Sequence, residues 1–393
     1  MKILSIETSC DETAISVLEF WPTETGAKVQ ILSNVVRSQI ELHQEFGGVF
    51  PSLAKREHVK NLPPILIENL KQANLYSNIR TNVEISSDKK QALEDLLVHE
   101  AGMAEEVGKI FESIEKPSID YIVVTSGPGL EPALWVGINF AKALSFFWNI
   151  PVMPVNHMEG HILSTLVDSN NREVQSINLS DLKLGALALL ISGGHTELVL
   201  MKNWMSYEKI GATVDDALGE AFDKVARLLG LPYPGGPKVS EFAREGVKRE
   251  DIKLPRPMIN SGDYNFSFSG IKTSVLYLIK RLGELDEQTK KDIAREFEEA
   301  VTEVLLKKTK NAIEEFGIET LIIGGGVSAN TFIKSEMKKM VSENFPDLQI
   351  LLPDQHLSGD NSIMIALAGY FGIAAGKPIP PITDIRASSN WSL

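Results

Sequence analysis

Residues Lys2–Phe20 read KILSIETSCDETAISVLEF. Alternation in KILSIE and again in AISVLEF, on either side of the polar TSCDET, marks two strands joined in a hairpin. The idea returns at Gly185–Met201, GALALLISGGHTELVLM, where Gly193-Gly194-His195-Thr196 makes the turn. Two hairpins with small polar tips, one in each half of the chain, suggest a duplicated architecture with the tips facing one cleft.

Working outward, a helical pattern covers about 52–75 and a strand covers 121–125. The turn Ser126–Gly129 (SGPG), a helix over about 135–147 and a strand at 152–155 follow. Further on, an amphipathic helix over about 215–229 is stopped by Gly230. The loop Pro234-Gly235-Gly236-Pro237 and a polar-aromatic stretch at 260–270 come next. A long helix over about 290–316 carries the stripe Ile293, Phe297, Val301, Val304, Leu305, with Gly317 as its stop. The strand leading into GGGVSAN, a helix, the strand LQILLP and a last helix over about 361–375 complete an alternation that defines the α/β class. Residues 76–116 differ in texture, rich in Glu and Lys, and read as a partly helical surface insertion.

The length of 393 residues favours two domains. The divisions expected are 1–156 with 357–393 as lobe I and 157–356 as lobe II. A single cysteine, Cys10, leaves no intrachain disulfide and points to a reducing compartment. Met1-Lys2 runs straight into a strand containing Glu7, so no secretory h-region is expected, and no apolar stretch is long enough for a transmembrane helix. A cytoplasmic location follows as an expectation. The net charge of −13 argues against indiscriminate nucleic-acid binding, although a local basic patch can still hold RNA.

The sharpest chemical signal is His157-Met158-Glu159-Gly160-His161. With Asn156 as N-cap, the histidines at i and i+4 share one face in the first turns of a helix. The positive helix end favours neutral rings that can bind a metal. Glu159, about 200° round the helix from His157, cannot serve as base on a shared metal-bound water, so this is not a protease HExxH motif. Two hydrogen-bonded surface histidines are the plain alternative. Asp360, at the start of the last helix, is either a third ligand or an N-cap. The turns Ser192-Gly193-Gly194 and Gly324-Gly325-Gly326 either bring backbone amides close to a phosphate or answer only a need for positive φ. Asp216, Glu220 and Asp223 fall on one helix face, as a solvated acidic face or as ribose-binding carboxylates. Asp11 and Glu12 at the first hairpin tip are a general base or plain turn residues. Cys10 reads as a half-buried small residue, since no His adjoins it.

Taken in order, IETSCDET, NHMEGH, LLISGGHTEL, DDALGEAFDK, YPGGP, FSFSGIKTSV, GGGVSAN and GDN resemble the tRNA N6-adenosine threonylcarbamoyltransferases, a family once labelled glycoproteases. The likeness is to the bacterial and organellar branch and spans nearly everything outside 76–116. It implies the actin-like, sugar-kinase-like ATPase fold, with two ribonuclease-H-like lobes around a cleft. It implies transfer of the threonylcarbamoyl group of L-threonylcarbamoyl-adenylate to N6 of adenosine 37 in tRNAs reading A-starting codons, releasing AMP. Matched by motif, His157, His161 and Asp360 are metal ligands, with iron the usual divalent ion and zinc or magnesium the alternatives. Leu190, Ile191, Ser192, Gly193 and Gly194 match a substrate-binding turn. Asp223, Gly236 and Asn330 match further substrate contacts, and Asp11 and Glu12 match catalytic acidic residues. The resemblance also implies a same-fold paralogue and a small P-loop ATPase as partners, and no membrane. The departures are the insertion and Glu131-Pro132, the latter compatible with a helix start. Lys307, Lys308, Lys310, Lys55 and Arg56 are candidate phosphate contacts for tRNA. The competing readings are an actin-fold kinase, which has no reason to carry HxxxH, and a non-catalytic scaffold of the same fold, which would lack the ligands.

Overall fold

The first hairpin forms as expected, with β1 (Lys2–Glu7) antiparallel to β2 (Glu12–Thr23) and Glu7 opposite Ala14. A computed structural model of the chain describes residues 1–78, 85–167, 174–179, 182–183 and 185–393. The contacts divide it into two units. The first comprises Met1–Glu41, Val49–Ser180 and Asp360–Ser392. The second comprises Leu42–Gly48, Asp181–Gly359 and Leu393.

In the first unit β3 (Gly26–Ser38), β4 (Tyr121–Gly127), β5 (Val152–Asn156) and β6 (Gln175–Asn178) extend the hairpin into a sheet ordered β5-β4-β1-β2-β3-β6. The strands β1, β4 and β5 run parallel, and β1, β2 and β3 are antiparallel. The short α1 (Ile40–Gln44) leads to α2 (Pro51–Gln72), which packs against β2 and β3. The helices α3 (Ser87–Leu96) and α4 (Met103–Ser113) lie in the expected insertion. This insertion is not merely surface. Its Leu93, Leu97, Val107, Ile110 and Phe111 enter the same apolar core as Leu4, Ile6 and Ile122. The ring of Phe111 stacks on Phe147 with centroids 3.9 Å apart. Phe147 belongs to α5 (Glu131–Trp148), whose first turn accommodates Pro132.

Two further helices of this unit position the chemistry. They are α6 (His157–Ser164) and, from the far end of the sequence, α12 (Ser362–Ala374). The helix α12 is apolar nearly all round and lies against β1, β2, β4 and β5, so it is a core element. It also packs on α6. A Cβ on Gly160 would come within 3.1 Å of Met364 Cγ and 3.2 Å of its carbonyl oxygen, so a larger residue would have to push α12 or the Met364 side chain back by a few tenths of an ångström. Residues from 157 onward therefore belong to the first unit as far as Ser180, beyond the division expected at 156.

The second unit repeats the plan. The strands β7 (Ala186–Ile191), β8 (Thr196–Asn203) and β9 (Ser206–Ala212) are antiparallel neighbours. Two more, β10 (Thr320–Gly324) and β11 (Gln349–Leu351), lie parallel to β7 in the order β11-β10-β7-β8-β9. That order and those directions match β5-β4-β1-β2-β3, so the duplication read from two hairpins extends to five strands. The helices of this unit are α7 (Leu218–Leu228), α8 (Gly235–Glu245), α9 (Ser269–Leu282), α10 (Glu287–Phe316) and α11 (Thr331–Asn344). The expected stripe of α10 is fully buried, and Gly317 ends it at φ 60°.

Candidate functional site

Asn156 caps α6 as expected, its Oδ1 accepting from the amides of Met158 at 2.8 Å and Glu159 at 3.4 Å. This starts a helix at His157 and leaves His157 and His161 on one face, both buried. Glu159 pairs with Lys377 at 2.8 Å and does not belong to the group formed by His157, His161 and Asp360. The cap of α12 is Asn361, whose Oδ1 accepts from the Met364 amide at 3.1 Å. Asp360 is thereby released from the capping role. Its Oδ1 lies 3.4 Å from His157 Nε2 and 3.2 Å from His161 Nε2.

These three side chains can hold a metal ion: one donor atom from each lies within 4.8 Å of the others. Two donors about 2.0–2.1 Å from one tetrahedral ion lie about 3.3 Å apart, close to the spacings found. The ring of the buried His161 makes no well-formed hydrogen bond: Nδ1 has no partner, and Nε2 has only the Asp360 oxygen at 3.2 Å. A buried imidazole is normally satisfied, so a ring whose only neighbour is the third member of the group fits one built to ligate.

Glu7 completes the arrangement. It is a buried carboxylate at the end of an apolar strand, and its Oε2 lies 3.1 Å from His157 Nδ1. Thr125 Oγ1 donates to the same oxygen at 2.5 Å, and the Ser9 amide donates to Oε1 at 2.5 Å. Ser9 Oγ also lies 3.3 Å from His157 Nδ1. Engaging Nδ1 leaves Nε2 facing Asp360, the carboxylate–histidine relay that orients metal-ligating rings. The sequence reading gave Glu7 no role in the site, although a lone carboxylate among the uncharged residues of Ile3–Thr8 was its visible signal.

Charge balance corrects one expectation. Burial opposes the imidazolium of His157, yet the Asp360 and Glu7 carboxylates outweigh it and hold His157 well above the usual histidine range. The helix end alone does not keep this ring neutral. Burial does push His161 down. Asp360 would be raised by burial, but His157 beside it holds it well below the usual carboxylate range. A cation arriving here displaces a proton from His157.

At the hairpin tip Asp11 is buried and Glu12 half-buried, with Ser38 Oγ donating to Glu12 Oε1 at 3.1 Å. Burial, then the Asp11 and Asp360 charges, push Glu12 well above the usual carboxylate range, which makes it a stronger proton acceptor. Burial and Asp11 likewise push the Cys10 thiol up, against a nucleophilic role.

The second unit gathers the other selected residues around α7 and α8. Leu190 and Ile191 are the buried end of β7, Ser192 is buried, and Gly193 and Gly194 are exposed. Neither glycine has a left-handed φ, so the turn does not need them for that reason. In the second Gly-rich turn Gly325 does, at 89°, and a Cβ added there would lie 2.4 Å from the Ile191 carbonyl oxygen, so there is no space for one. The acidic face does not form as predicted, because α7 starts at Leu218 and Asp216 precedes it. Asp216 and Glu220 both pair with Lys224, at 2.7 and 2.8 Å. Asp223 Oδ1 instead accepts from the Gly235 amide at 2.7 Å, tying α7 to the start of α8 beside Gly236. Asn330 caps α11, its Oδ1 accepting from Phe332 and Ile333. Its Nδ2 donates to Ser240 Oγ at 2.9 Å and to the buried Glu298 at 2.8 Å. Lys308 is corrected: it is 2% exposed and donates to Ser261 Oγ and the Asp263 carbonyl, both at 2.7 Å, so it is no phosphate contact. Lys310 donates to Asn344 Oδ1 at 2.5 Å.

Two α/β units of one strand order define a member of the actin-like, sugar-kinase-like fold class, and the first carries a His–His–Asp group that could hold a metal ion. Solved structures agree on the fold. Full-length HypF in its phosphate- and nucleotide-bound form superposes with a TM-score of 0.53 at 11% identity, over 97% of this chain and 56% of that one. HypF of T. kodakarensis gives 0.54 at 13%, over 95% of this chain and 48% of that one. The chain spans about half the length of these two proteins, and the likeness is one of fold. A family profile, TsaD: tRNA N6-adenosine threonylcarbamoyltransferase, matches residues 30–83 and 99–367. The tRNA N6-adenosine threonylcarbamoyltransferase of Persephonella marina is 41% identical over 373 residues, 94% of this chain and 90% of the relative. That of Thermosipho africanus is 40% identical over 98% of this chain and its own full length, and that of Bacillus subtilis 38% over 96% and 92%. The chain belongs to the tRNA N6-adenosine threonylcarbamoyltransferase family.

Proposed function

We infer that this enzyme transfers the threonylcarbamoyl group of L-threonylcarbamoyl-adenylate to N6 of adenosine 37 in tRNAs reading A-starting codons, with AMP as the leaving group. The observation that carries this reading is the family match across nearly the whole chain together with the buried His157–His161–Asp360 group. The adenine amine is conjugated into its ring and is a poor nucleophile. The acyl carbon of the donor carries a good phosphate leaving group. Catalysis therefore leans on positioning and charge stabilisation. The amine nitrogen bonds to the carbamoyl carbon, the bond from that carbon to the phosphate oxygen breaks, and the amine loses a proton. Glu12, with its raised carboxylate, is assigned that proton and Asp11 the task of keeping Glu12 basic.

His157, His161 and Asp360 would hold one divalent ion, with iron(II) the assigned metal. When bound, it supplies Lewis-acid stabilisation of charge on donor oxygens. Glu7 fixes the His157 ring. The turn from Leu190 to Gly194 is assigned to the donor, its exposed glycines giving backbone amides room to approach an anion. Asp223, Gly236 and Asn330 are assigned as further donor contacts. Lys307, Lys55 and Arg56 stay as candidate tRNA phosphate contacts. A same-fold paralogue and a small P-loop ATPase are the proposed partners, and the cytoplasm the proposed location. Among the described residues no helix is long and apolar enough to cross a membrane.

The test combines purified protein, iron(II), threonylcarbamoyl-adenylate and unmodified tRNA, with nucleosides read by mass spectrometry. Product that disappears in His157→Ala supports reaction and site together. Absence of product from folded, metal-loaded protein, with or without cell lysate to supply partners, overturns the reading.

A further inference from the structure

The last residues of the chain reach the metal-bearing helix by a route that the reaction itself does not explain. After α12 the chain makes a short turn at Ile382–Asp384 and continues without regular structure. It is nevertheless held closely. Ile385 is 2% exposed within the apolar core, and the buried Lys142 Nζ donates to its carbonyl at 2.9 Å. The Ser388 amide donates to the Ser126 carbonyl at 2.8 Å, and the Gly129 amide donates to the Ser389 carbonyl at 3.2 Å. Asn156 Nδ2 donates to the Trp391 carbonyl at 3.1 Å. The fit is tight: a Cβ on Gly127 would lie 2.0 Å from the Ser388 carbonyl oxygen and 3.1 Å from Trp391 Cβ.

One of these attachments falls on the residue before His157, and another on the residue before Leu130, which holds the Ser9 that faces His157. Asn156 precedes His157 and caps its helix with the same side chain that holds Trp391. Gly129 precedes Leu130, whose amide donates to the Ser9 carbonyl at 2.7 Å, and Ser9 Oγ faces His157 Nδ1 at 3.3 Å. The segment thus joins both supports of one imidazole. A side-chain amide that caps with its oxygen and is fixed through its nitrogen has its torsion set twice, and the helix it starts is aimed accordingly.

We propose that residues 385–391 form a strap that positions His157 for metal binding, with Asn156 as the positioning residue through which it acts. The proposal rests on the reading of His157, His161 and Asp360 as metal ligands. Sub-ångström placement of ligating rings is what supporting groups supply, and losing such support weakens metal binding by about 10–100-fold.

The experiment uses cobalt(II) as the probe, since its visible spectrum reports ligand geometry. Three variants are compared with the full chain: removal of residues 389–393, Asn156→Ser, and both together. The truncation keeps Ile385 and the Ser388 amide in place, and Ser keeps a capping oxygen while lacking Nδ2. The expected result is about tenfold weaker cobalt binding with an altered spectrum in each single variant. The double variant should lose no more than the truncation alone, because removing 389–393 already breaks the Asn156–Trp391 link that Asn156→Ser breaks, along with the Gly129–Ser389 link. Circular dichroism melting of each variant separates this from loss of fold, and Asn156→Ser alone suffices where the truncation melts early. Wild-type cobalt affinity and spectrum in folded Asn156→Ser protein overturn the strap, as do additive losses. Failure of the full-length wild type to bind cobalt overturns the metal reading instead.

Discussion

The two units share five strands in one order, and each ends its first hairpin in a small polar turn, yet the turns are built differently. The tip of β1 and β2 is enclosed. Glu7, Ser9 and Asp11 are buried there, and Glu7 and Ser9 are committed to one another and to His157. The tip of β7 and β8 is held mostly by backbone. The Ser192 amide donates to the His195 carbonyl at 2.8 Å, the Gly219 amide donates to the Ser192 carbonyl at 3.2 Å, and Gly193 and Gly194 stand exposed. The first is suited to fixing a cation by ionisable side chains, the second to offering amides to an anion. On the proposed reading one architecture serves opposite electrostatic duties, with the first tip supporting His157 through Glu7 and Ser9 and the second presenting backbone.

The comparison is broken most severely at Asp360. Asp360→Ala removes the acidic member of the ligand group and leaves Glu7, 3.1 Å from His157 Nδ1, as the carboxylate beside the two buried histidines. Transfer is expected to fall on the order of 10²–10³-fold or more, the equivalent of several kcal/mol of charge stabilisation. Equilibrium dialysis with iron(II) should show the ion lost while the melting curve stays cooperative. Retention of both metal and activity would falsify the assignment of the first tip as a cation site.

Glu7→Gln comes next and tests the relay rather than the ligands. Metal affinity at high pH should drop about 10–100-fold. The pH dependence supplies a second, opposite signature. Asp360 and Glu7 hold His157 raised, so protons compete with the metal over a wider range than for an ordinary histidine. In metal-free protein this raised group contributes stability that is complete below the ordinary value of about 6.5 and is lost as pH rises through the folded value. Metal binding follows the reverse course and strengthens as His157 loses its proton. Without the Glu7 charge, His157 titrates lower, so the midpoint of metal binding should move toward acid even as the plateau weakens. A weakened plateau with an unmoved midpoint would mean that Glu7 acts by packing alone.

The readable parts of this chain are those where a local pattern has a local cause. Alternation gave both hairpins, and the 3.6-residue stripe gave α10, because each records one burial face. The cap at Asn156 and the His157–His161 spacing were equally local. Asp360 could not be chosen between ligand and cap, because the choice depends on Asn361 taking the cap instead and on Gly160 admitting Met364. Glu7 was missed for a similar reason: its partners Thr125 and His157 are 118 and 150 residues away. Lys308 was misread as solvent-facing since a lysine on a long helix usually is, whereas here Ser261 and Asp263 satisfy it in the interior. Asp216 was placed on a helix that begins two residues later, after an extended Ala217 whose side chain offers no cap and so no local signal of the boundary.

At the second tip the vulnerable position is underneath. Gly219, in the first turn of α7, lies against the turn so closely that a Cβ would be 2.8 Å from both Gly193 Cα and the Ser192 carbonyl oxygen. Backbone cannot yield as a side chain would. Gly219→Ala is therefore expected to cost about 1–3 kcal/mol of stability, read from denaturant unfolding, and to raise the KM for the donor as the turn is displaced. Unaltered stability and KM together would show that the turn tolerates displacement and is not a preorganised cradle.

Gly194→Ala gives the smallest effect and the finest discrimination. An added Cβ there meets nothing within 4 Å, and the backbone is outside the left-handed region. The folded protein has no reason to resist it, so stability should stay within about 0.5 kcal/mol. What the methyl group occupies is the space in front of the turn. If backbone amides approach the donor there, the KM for threonylcarbamoyl-adenylate rises a few-fold, under about 1 kcal/mol, while affinity for the metal does not move. A variant with unchanged KM would place the donor elsewhere on this unit, and the glycines would then be a turn and nothing more. Because the first tip has no exposed glycine of this kind, the same measurement separates the two duties: one tip is sensitive to charge and indifferent to bulk in front of it, the other the reverse.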